Sequence, residues 1–370
     1  MCLSPLKMGG GGEPPHNPIN SHLKSHASSQ SPHHSHFQQV KSELAPIYSP
    51  FGELIPNLTN LALQNTNFSA TNALGGIWPV YMTNGTIAGI IAHLCGIPQN
   101  MPIAPNNFNK KHFLSSATCV SDILAKAGYK QVFFGGVNGD FAGKRHFLAS
   151  HNIEVRDIKY LQDNGLIPNP LPKSMQGAWD LKDTEVFNMA KLYLQDKLDS
   201  QQNVGEPFVL YILTVDTHIN DGVVDETRCP NTPKSTAGAF MCADTIVGDF
   251  VEFVRNSKFK DNTTIIVLGD HLSMASNFFP PQAKRAVFNA FINPKFTQTP
   301  TPQLTKERIL SHFDIAPLIL DSVGLRTESF GLGRNPLYQK TLLESEFSLD
   351  KFNAELGKRN KIYDSFWEVK

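Results

Sequence analysis

No run of this 370-residue chain approaches the ~18 to 20 consecutive apolar residues that a bilayer crossing needs. The best stretch, TIAGIIAHLCGI at 86–97, is too short and is broken by glycine and histidine. The start lacks the basic, apolar and small-residue succession of a secretory signal, so as written nothing exports the chain. Excess charge of one sign is missing too. Thirty-three basic residues face 33 acidic ones with no long block of either, which removes the electrostatic footprint of a nucleic-acid or acidic-membrane binder. The five cysteines, at 2, 95, 119, 229 and 242, form no CxxC pair, which argues against zinc knuckles and thioredoxin-like redox chemistry. The spacings 95/119 and 229/242 each suit a disulfide-closed loop in an oxidising compartment, and four separate thiols suit them equally well. There is no internal repeat and no strong signal for an oligomer.

What is present is enough chain to bury a sizeable core, rich in phenylalanine at 25 residues. Residues 1–45 carry GGGG at 9–12 and six histidines between His16 and His36. Such a composition buries too little apolar surface to offset its ordering entropy, so a disordered leader is expected there. Its histidines lack the fixed spacing of a metal site. From about residue 46 the pattern alternates. Helical spacing in 115–129, 183–200 and 242–257 precedes the apolar strand runs KQVFFGG (130–136), PFVLYILTVDTH (207–218) and TTIIVLG (263–269). Strands alternating with helices predict an α/β fold with a mostly parallel sheet covered on both faces. The expected organisation is the leader 1–45, one catalytic domain over 46–340 and a charged C-terminal tail over 341–370.

Two of these strand runs end in polar clusters. TTIIVLGDHL closes on adjacent Asp270 and His271, and YILTVDTH on His218, at the carboxyl edge where open α/β sheets place their chemistry. Carboxylate plus neutral imidazole is a donor pair for a zinc- or manganese-like divalent ion, although the same pair could simply be a helix cap and a loop histidine. In NGTIAGIIAHLCGIP (84–98), Thr86 follows a glycine and opens an apolar helix. A hydroxyl there lies in the field of unpaired amide donors, which favours its ionised form and an incoming anion; a plain N-cap is the simpler alternative.

The strings GTIAGIIAHLCGIP, FFGGVNGDFAGKRHFLASHNIEV, YILTVDTHINDG and VLGDHLSM, in this order and at these separations, resemble the phosphoglycerol transferases of the alkaline phosphatase/sulfatase superfamily. The likeness is to the membrane-anchored enzymes that decorate periplasmic glucans, extends to lipoteichoic acid synthases, and runs from about Pro50 to Leu337. It implies one divalent metal ion, manganese, zinc or magnesium, at the carboxyl edge of the sheet. Thr86 would be both nucleophile and ligand, and Asp270 and His271 further ligands. His218 would face the substrate phosphate, with Lys144 and, more weakly, Arg145 near the phosphoglycerol headgroup. The implied donor is a phospholipid headgroup such as that of phosphatidylglycerol, the acceptor a glycan, and the location the extracytoplasmic face of the inner membrane. Cys95 with Cys119, and Cys229 with Cys242, fall where the glucan-modifying relatives carry cysteines, which favours two disulfides. Trp179 and Asp180 in GAWDLKD read as structural, and Asp314 in HFDIAPLIL as a helix cap.

The chain departs from the family at its start. The relatives open this domain with transmembrane helices and an apolar strand ending in a metal-binding glutamate. Here the matching region reads HSHFQQVKSELAP, with the ligand position near Gln39–Ser42 and only Glu43 close by, out of register. The first strand therefore reads as missing. A truncated or mis-started chain explains this best, since the other catalytic strings are intact; a diverged, catalytically inactive member is the alternative. Phosphoethanolamine transfer or sulfate ester hydrolysis on the same scaffold are the enzymatic alternatives, with sulfur disfavoured because no CxPxR-like string surrounds Thr86.

Overall fold

The computed structural model describes residues 2–3, 54–71, 74–100, 113–199, 206–218, 222–275, 278–280, 283–358 and 360–368. Its frame is a six-stranded sheet of order β3-β2-β4-β1-β5-β6, built from β1 (Cys2–Leu3), β2 (Lys130–Gly135), β3 (Glu154–Asp157), β4 (Phe208–Leu213), β5 (Thr264–Leu268) and β6 (Asn289–Ile292). Strands β3, β2 and β4 pair in parallel, while β1 runs antiparallel to both β4 and β5. Four of the six strands thus point the same way, with β1 and the edge strand β6 opposed.

Side chains alternate across this sheet as strand geometry requires. Phe133, Val209, Tyr211 and Ile266 enter one core; Val132, Phe134, Phe208, Leu210 and Ile265 enter the other. Helix α1 (Pro56–Gln64) adds Leu61 to the second core, and α2 (Thr86–Cys95) and α3 (Val120–Lys126) pack on the first. Helix α4 (Lys144–Ser150) also joins the first, and α5 (Ile158–Asp163) the second. Helices α6 (Asp183–Asp199) and α7 (Thr236–Arg255) cover the second face, whereas α8 (Pro302–Thr305) and α9 (Ile315–Asp321) lie on the first. Both faces are covered, as the alternating pattern predicted.

The sequence reading erred at some boundaries and at both ends. Helix α7 begins six residues before Cys242, because Ser235 accepts a hydrogen bond from the Gly238 amide and caps it there. Residues 341–370, expected as a charged tail, instead carry helices α10 (Leu342–Ser345), α11 (Leu349–Leu356) and α12 (Lys361–Ser365). Phe352 and Leu356 pack with Trp78 and Val80, and Trp367 packs on Phe113, so the segment is part of the body. At the other end Cys2 and Leu3 form a strand within the expected leader. The rest of residues 1–45, with Gln39, Ser42 and Glu43, lies outside the described residues. Both cysteine pairs are bonded, Cys95 to Cys119 and Cys229 to Cys242. No described helix is long and apolar enough to cross a membrane.

Candidate active site

The carboxyl ends of β4 and β5 reach one cavity of about 270 Å³, lined by Thr214 and Thr217 from the first and Gly269 and His271 from the second. Asp270 follows β5 directly. The α2 helix is held against it because residue 89 is glycine: a Cβ there would sit 2.1 Å from the Asp270 carbonyl oxygen. Thr86, the first residue of α2, stands three residues before Gly89, half-buried behind the extended Gly85.

The Asp270–His271 pair has the chemistry of a cation site. His271 Nδ1 lies 2.7 Å from the Leu272 carbonyl oxygen, which makes Nδ1–H the donor, so in a neutral ring Nε2 keeps its lone pair. That nitrogen stands 3.6 Å from Asp270 Oδ2, another acceptor. Two lone-pair donors side by side, with the other imidazole nitrogen anchored on a carbonyl, suit a divalent ion between them. Asp270 and His271 therefore fit part of a ligand set.

Two buried histidines that the sequence reading did not single out lie beneath this pair. His312 Nε2 is 3.0 Å from the Asp270 carbonyl oxygen and Nδ1 3.3 Å from that of Trp78. Burial pushes its pKa down to about 4, so it is neutral and supplies one N–H to this pair of carbonyls. His93 stacks on it with ring centroids 5.1 Å apart, and its own pKa is lowered by burial and then by His312. The strings AHLCG and SHFD contained both. Only the fold shows His312 supporting the Asp270 backbone, with His93 stacked behind it.

On the β4 side the structure links four residues in a row. Lys144 Nζ lies 4.9 Å over the Phe141 ring, Phe141 meets Trp179 edge-on at 4.9 Å, and Trp179 meets His218 at 4.7 Å. Trp179 was expected to be structural. It is instead 44% exposed, and its indole N–H donates to His218 Nδ1 at 3.2 Å. The bond leaves the proton of a neutral His218 on Nε2, free to donate to an anion. Lys144 is buried and donates to the Phe141 carbonyl; burial lowers its pKa to about 8 against the opposing pull of Asp157. Arg145 does not join the row: its guanidinium is tied to Asp140 and Asp157.

The loop carrying His218 is fixed by two buried carboxylates. Asp183 accepts from the Val215 and Asp216 amides, and Asp216 accepts from those of Asp183 and Ala178, at 2.7 to 3.0 Å. Burial together with their mutual repulsion raises the Asp183 pKa. Asp314, expected as a helix cap, makes no side-chain cap bond to α9; it closes a capping box begun by Ser311, accepting the Ser311 amide, and also accepts the Arg334 amide.

A family model described as Sulfatase matches residues 48–325. The chain belongs to the sulfatase family. Within the alkaline phosphatase superfamily it is similar to phosphoglycerol transferase I of Xanthomonas campestris pv. campestris (strain B100), with 31% identity over 296 residues, 76% of this chain and 39% of that protein. The corresponding protein of Citrobacter koseri is 30% identical over 305 residues, 80% of this chain and 37% of that protein. This sulfatase-family chain thus spans about two fifths of the length of these curated relatives. The lipoteichoic acid synthase LtaP from Listeria monocytogenes superposes with a TM-score of 0.59 at 15% identity, covering 80% of this chain and 72% of that one. The Streptococcus pyogenes phosphoglycerol transferase GacH, solved with sn-glycerol-1-phosphate, gives 0.51 at 13%, covering 90% and 88%. At these identities the structural likeness shows the fold, α/β of the alkaline phosphatase/sulfatase type.

Proposed function

We propose that this chain is the catalytic body of a metal-dependent enzyme that transfers or hydrolyses phosphoglycerol esters through Thr86. The observation that supports the reading is the packing of helix α2, which Thr86 begins, on the Asp270 backbone through Gly89, beside the Asp270–His271 pair at the end of β5. Thr86, Asp270 and His271 would hold one divalent ion, manganese, zinc or magnesium, whose charge lowers the pKa of a bound hydroxyl and neutralises phosphoryl oxygens. Thr86 attacks phosphorus in line, the P–O bond to the donor alcohol breaks, and the phosphoglyceryl group remains on the Thr86 oxygen. A glycan hydroxyl or water then attacks phosphorus and releases Thr86. His218 Nε2–H donates to a phosphoryl oxygen, and Lys144 places a positive charge beside the glycerol phosphate.

The names of the curated relatives support phosphoglycerol as the transferred group. By the same resemblance the donor is a phospholipid headgroup such as that of phosphatidylglycerol, the acceptor a cell-envelope glycan or lipid, and the setting the extracytoplasmic face of the inner membrane. The two disulfides agree with an oxidising setting. The organisation we propose is one catalytic body from about residue 46 that includes the C-terminal helices.

Elemental analysis of the purified full chain tests the reading. Close to one manganese, zinc or magnesium per chain is expected in the wild type and none in Asp270→Ala. Metal-free wild-type protein, even after incubation with excess of each ion, would sink the catalytic proposal.

A further inference from the structure

A separate cavity of about 660 Å³ lies beside Trp179, walled by α5, the loop that leads from it to α6, and Asn138. Its size falls within the ~300 to 1,000 Å³ of small-molecule sites, but its walls are polar where such sites are mostly apolar. Trp179 is the exposed member of the chain's three tryptophans. Trp78 and Trp367 are 4% and 9% exposed and pack in the cores, whereas Trp179 is 44% exposed. An indole kept in water forgoes the burial that a core position gives, and a ligand lying against it restores that burial.

Side-chain amides line the same cavity, and three of them are pinned at one end. Gln162 Nε2 donates to the Pro168 carbonyl at 3.3 Å and Gln176 Nε2 to that of Leu171 at 3.1 Å, which leaves both Oε1 atoms as acceptors. Asn138 Oδ1 accepts from the Asp140 amide at 2.9 Å, which leaves Nδ2 as a donor. The Asn169 side chain makes no hydrogen bond among the described residues. Asp180 adds a carboxylate, one oxygen of which lies 3.4 Å from the Asn138 amide nitrogen. Lys159, the cation of this cavity, is already paired with Asp163 at 2.6 Å. The groups left over are a mixture of neutral donors and acceptors, with the negative charge of Asp180 uncompensated.

A hydroxyl both donates and accepts, so a polyol matches this mixture; a phosphate, which mainly accepts, would meet carboxylate and carbonyl oxygens instead. A ring with hydroxyls around its edge and C–H bonds on its faces also suits the indole, whose negative face attracts C–H hydrogens. We infer that this cavity is a saccharide subsite, which takes a neutral sugar ring against Trp179 with its hydroxyls on the surrounding amides. Its position gives it a part in the reaction. Trp179 donates to His218 at 3.2 Å, and Thr217, the residue before His218, lines the cavity that His271 also lines. A sugar seated on Trp179 therefore lies next to the group that faces the phosphoryl oxygens, and it serves as the acceptor. The acceptor role rests on the proposed phosphoglycerol transfer; the binding of sugar does not.

Because the other two indoles are buried, tryptophan emission of the full chain reports this site. Titration with laminaripentaose or maltopentaose should give a saturable change in emission, which excess sn-glycerol 3-phosphate does not displace. Asn169→Ala, at an exposed loop position, should weaken sugar binding about two- to tenfold through one lost hydrogen bond. Trp179→Ala, followed by calorimetry because the reporter is gone, should abolish it. Flat titrations with both sugars, unchanged affinity in both variants, or displacement by glycerol phosphate would overturn the inference. Sugar binding that persists in metal-free, inactive protein keeps the subsite even where the transfer reading fails. Turnover of a phosphoglycerol ester with no sugar binding does the reverse and removes the subsite alone.

Discussion

The two strand ends that form the candidate site are held in contrasting ways. At the end of β4, Asp183 and Asp216 are 1% and 4% exposed and clasp four backbone amides, so the loop bearing His218 is fixed from below by buried carboxyl groups. At the end of β5, the Asp270 and His271 side chains are 33% and 13% exposed and, among the described residues, bond within their own turn, with Gly89 and His312 steadying the Asp270 backbone. The β4 end is thus tied into the scaffold through buried carboxyl groups, whereas the Asp270–His271 pair stays more accessible to solvent. The lesson is a contrast in use: buried carboxyl groups are spent on the scaffold at one strand end, while the carboxylate at the other stays within reach of solvent, where the proposed chemistry needs it.

The largest effect should come from removing the nucleophile. Thr86→Ala should lower turnover of a phosphoglycerol ester by about a thousandfold or more, since no neighbouring hydroxyl starts the helix in its place. Substantial retained turnover would relocate the chemistry away from α2. Stability should respond the other way round. Asp183→Asn should cost about 1 to 3 kcal/mol in urea unfolding, because the amide turns an N–H towards a backbone N–H and strips acceptors from buried amides. Asp270→Asn, on the exposed side, should stay within about 0.5 kcal/mol. Equal losses for the two variants would erase the distinction between the strand ends.

Much of this was legible in the chain because local chemistry and global placement agree. Apolar β-branched runs ending in Asp270 and His218 announced strand ends, and the helical spacing around Thr86 and Gly89 announced the element that packs on them. What stayed hidden depends on pairs distant in sequence. Asp183 and Asp216 lie 33 residues apart and show no motif, so their clasp exists only once α6 meets the β4 loop. Trp179 looked structural because no periodicity marks a residue whose indole N–H donates to His218 across 39 positions. The C-terminal helices were missed for a similar reason: their charge density suggests a solvated tail, while Phe352 and Trp367 reach cores formed some 250 or more residues earlier.

The smallest predicted effect probes the rigid side by pH. Burial lowers the Lys144 pKa to about 8 from its ordinary 10.5, so the folded protein releases this proton more readily than the unfolded chain. The ammonium is present below about pH 8 and lost above it, and only the charged form attracts an anion. Affinity for glycerol 3-phosphate, measured by calorimetry, should therefore be full at pH 7.5 and fall several-fold by pH 9.5. In that window the phosphate is already dianionic, with its second pKa near 6, so the change belongs to the protein. Lys144→Arg keeps its charge throughout and should bind with a flat profile. A wild-type profile equally flat would remove Lys144 from the headgroup side and leave His218 as the anion-binding group of the β4 rim.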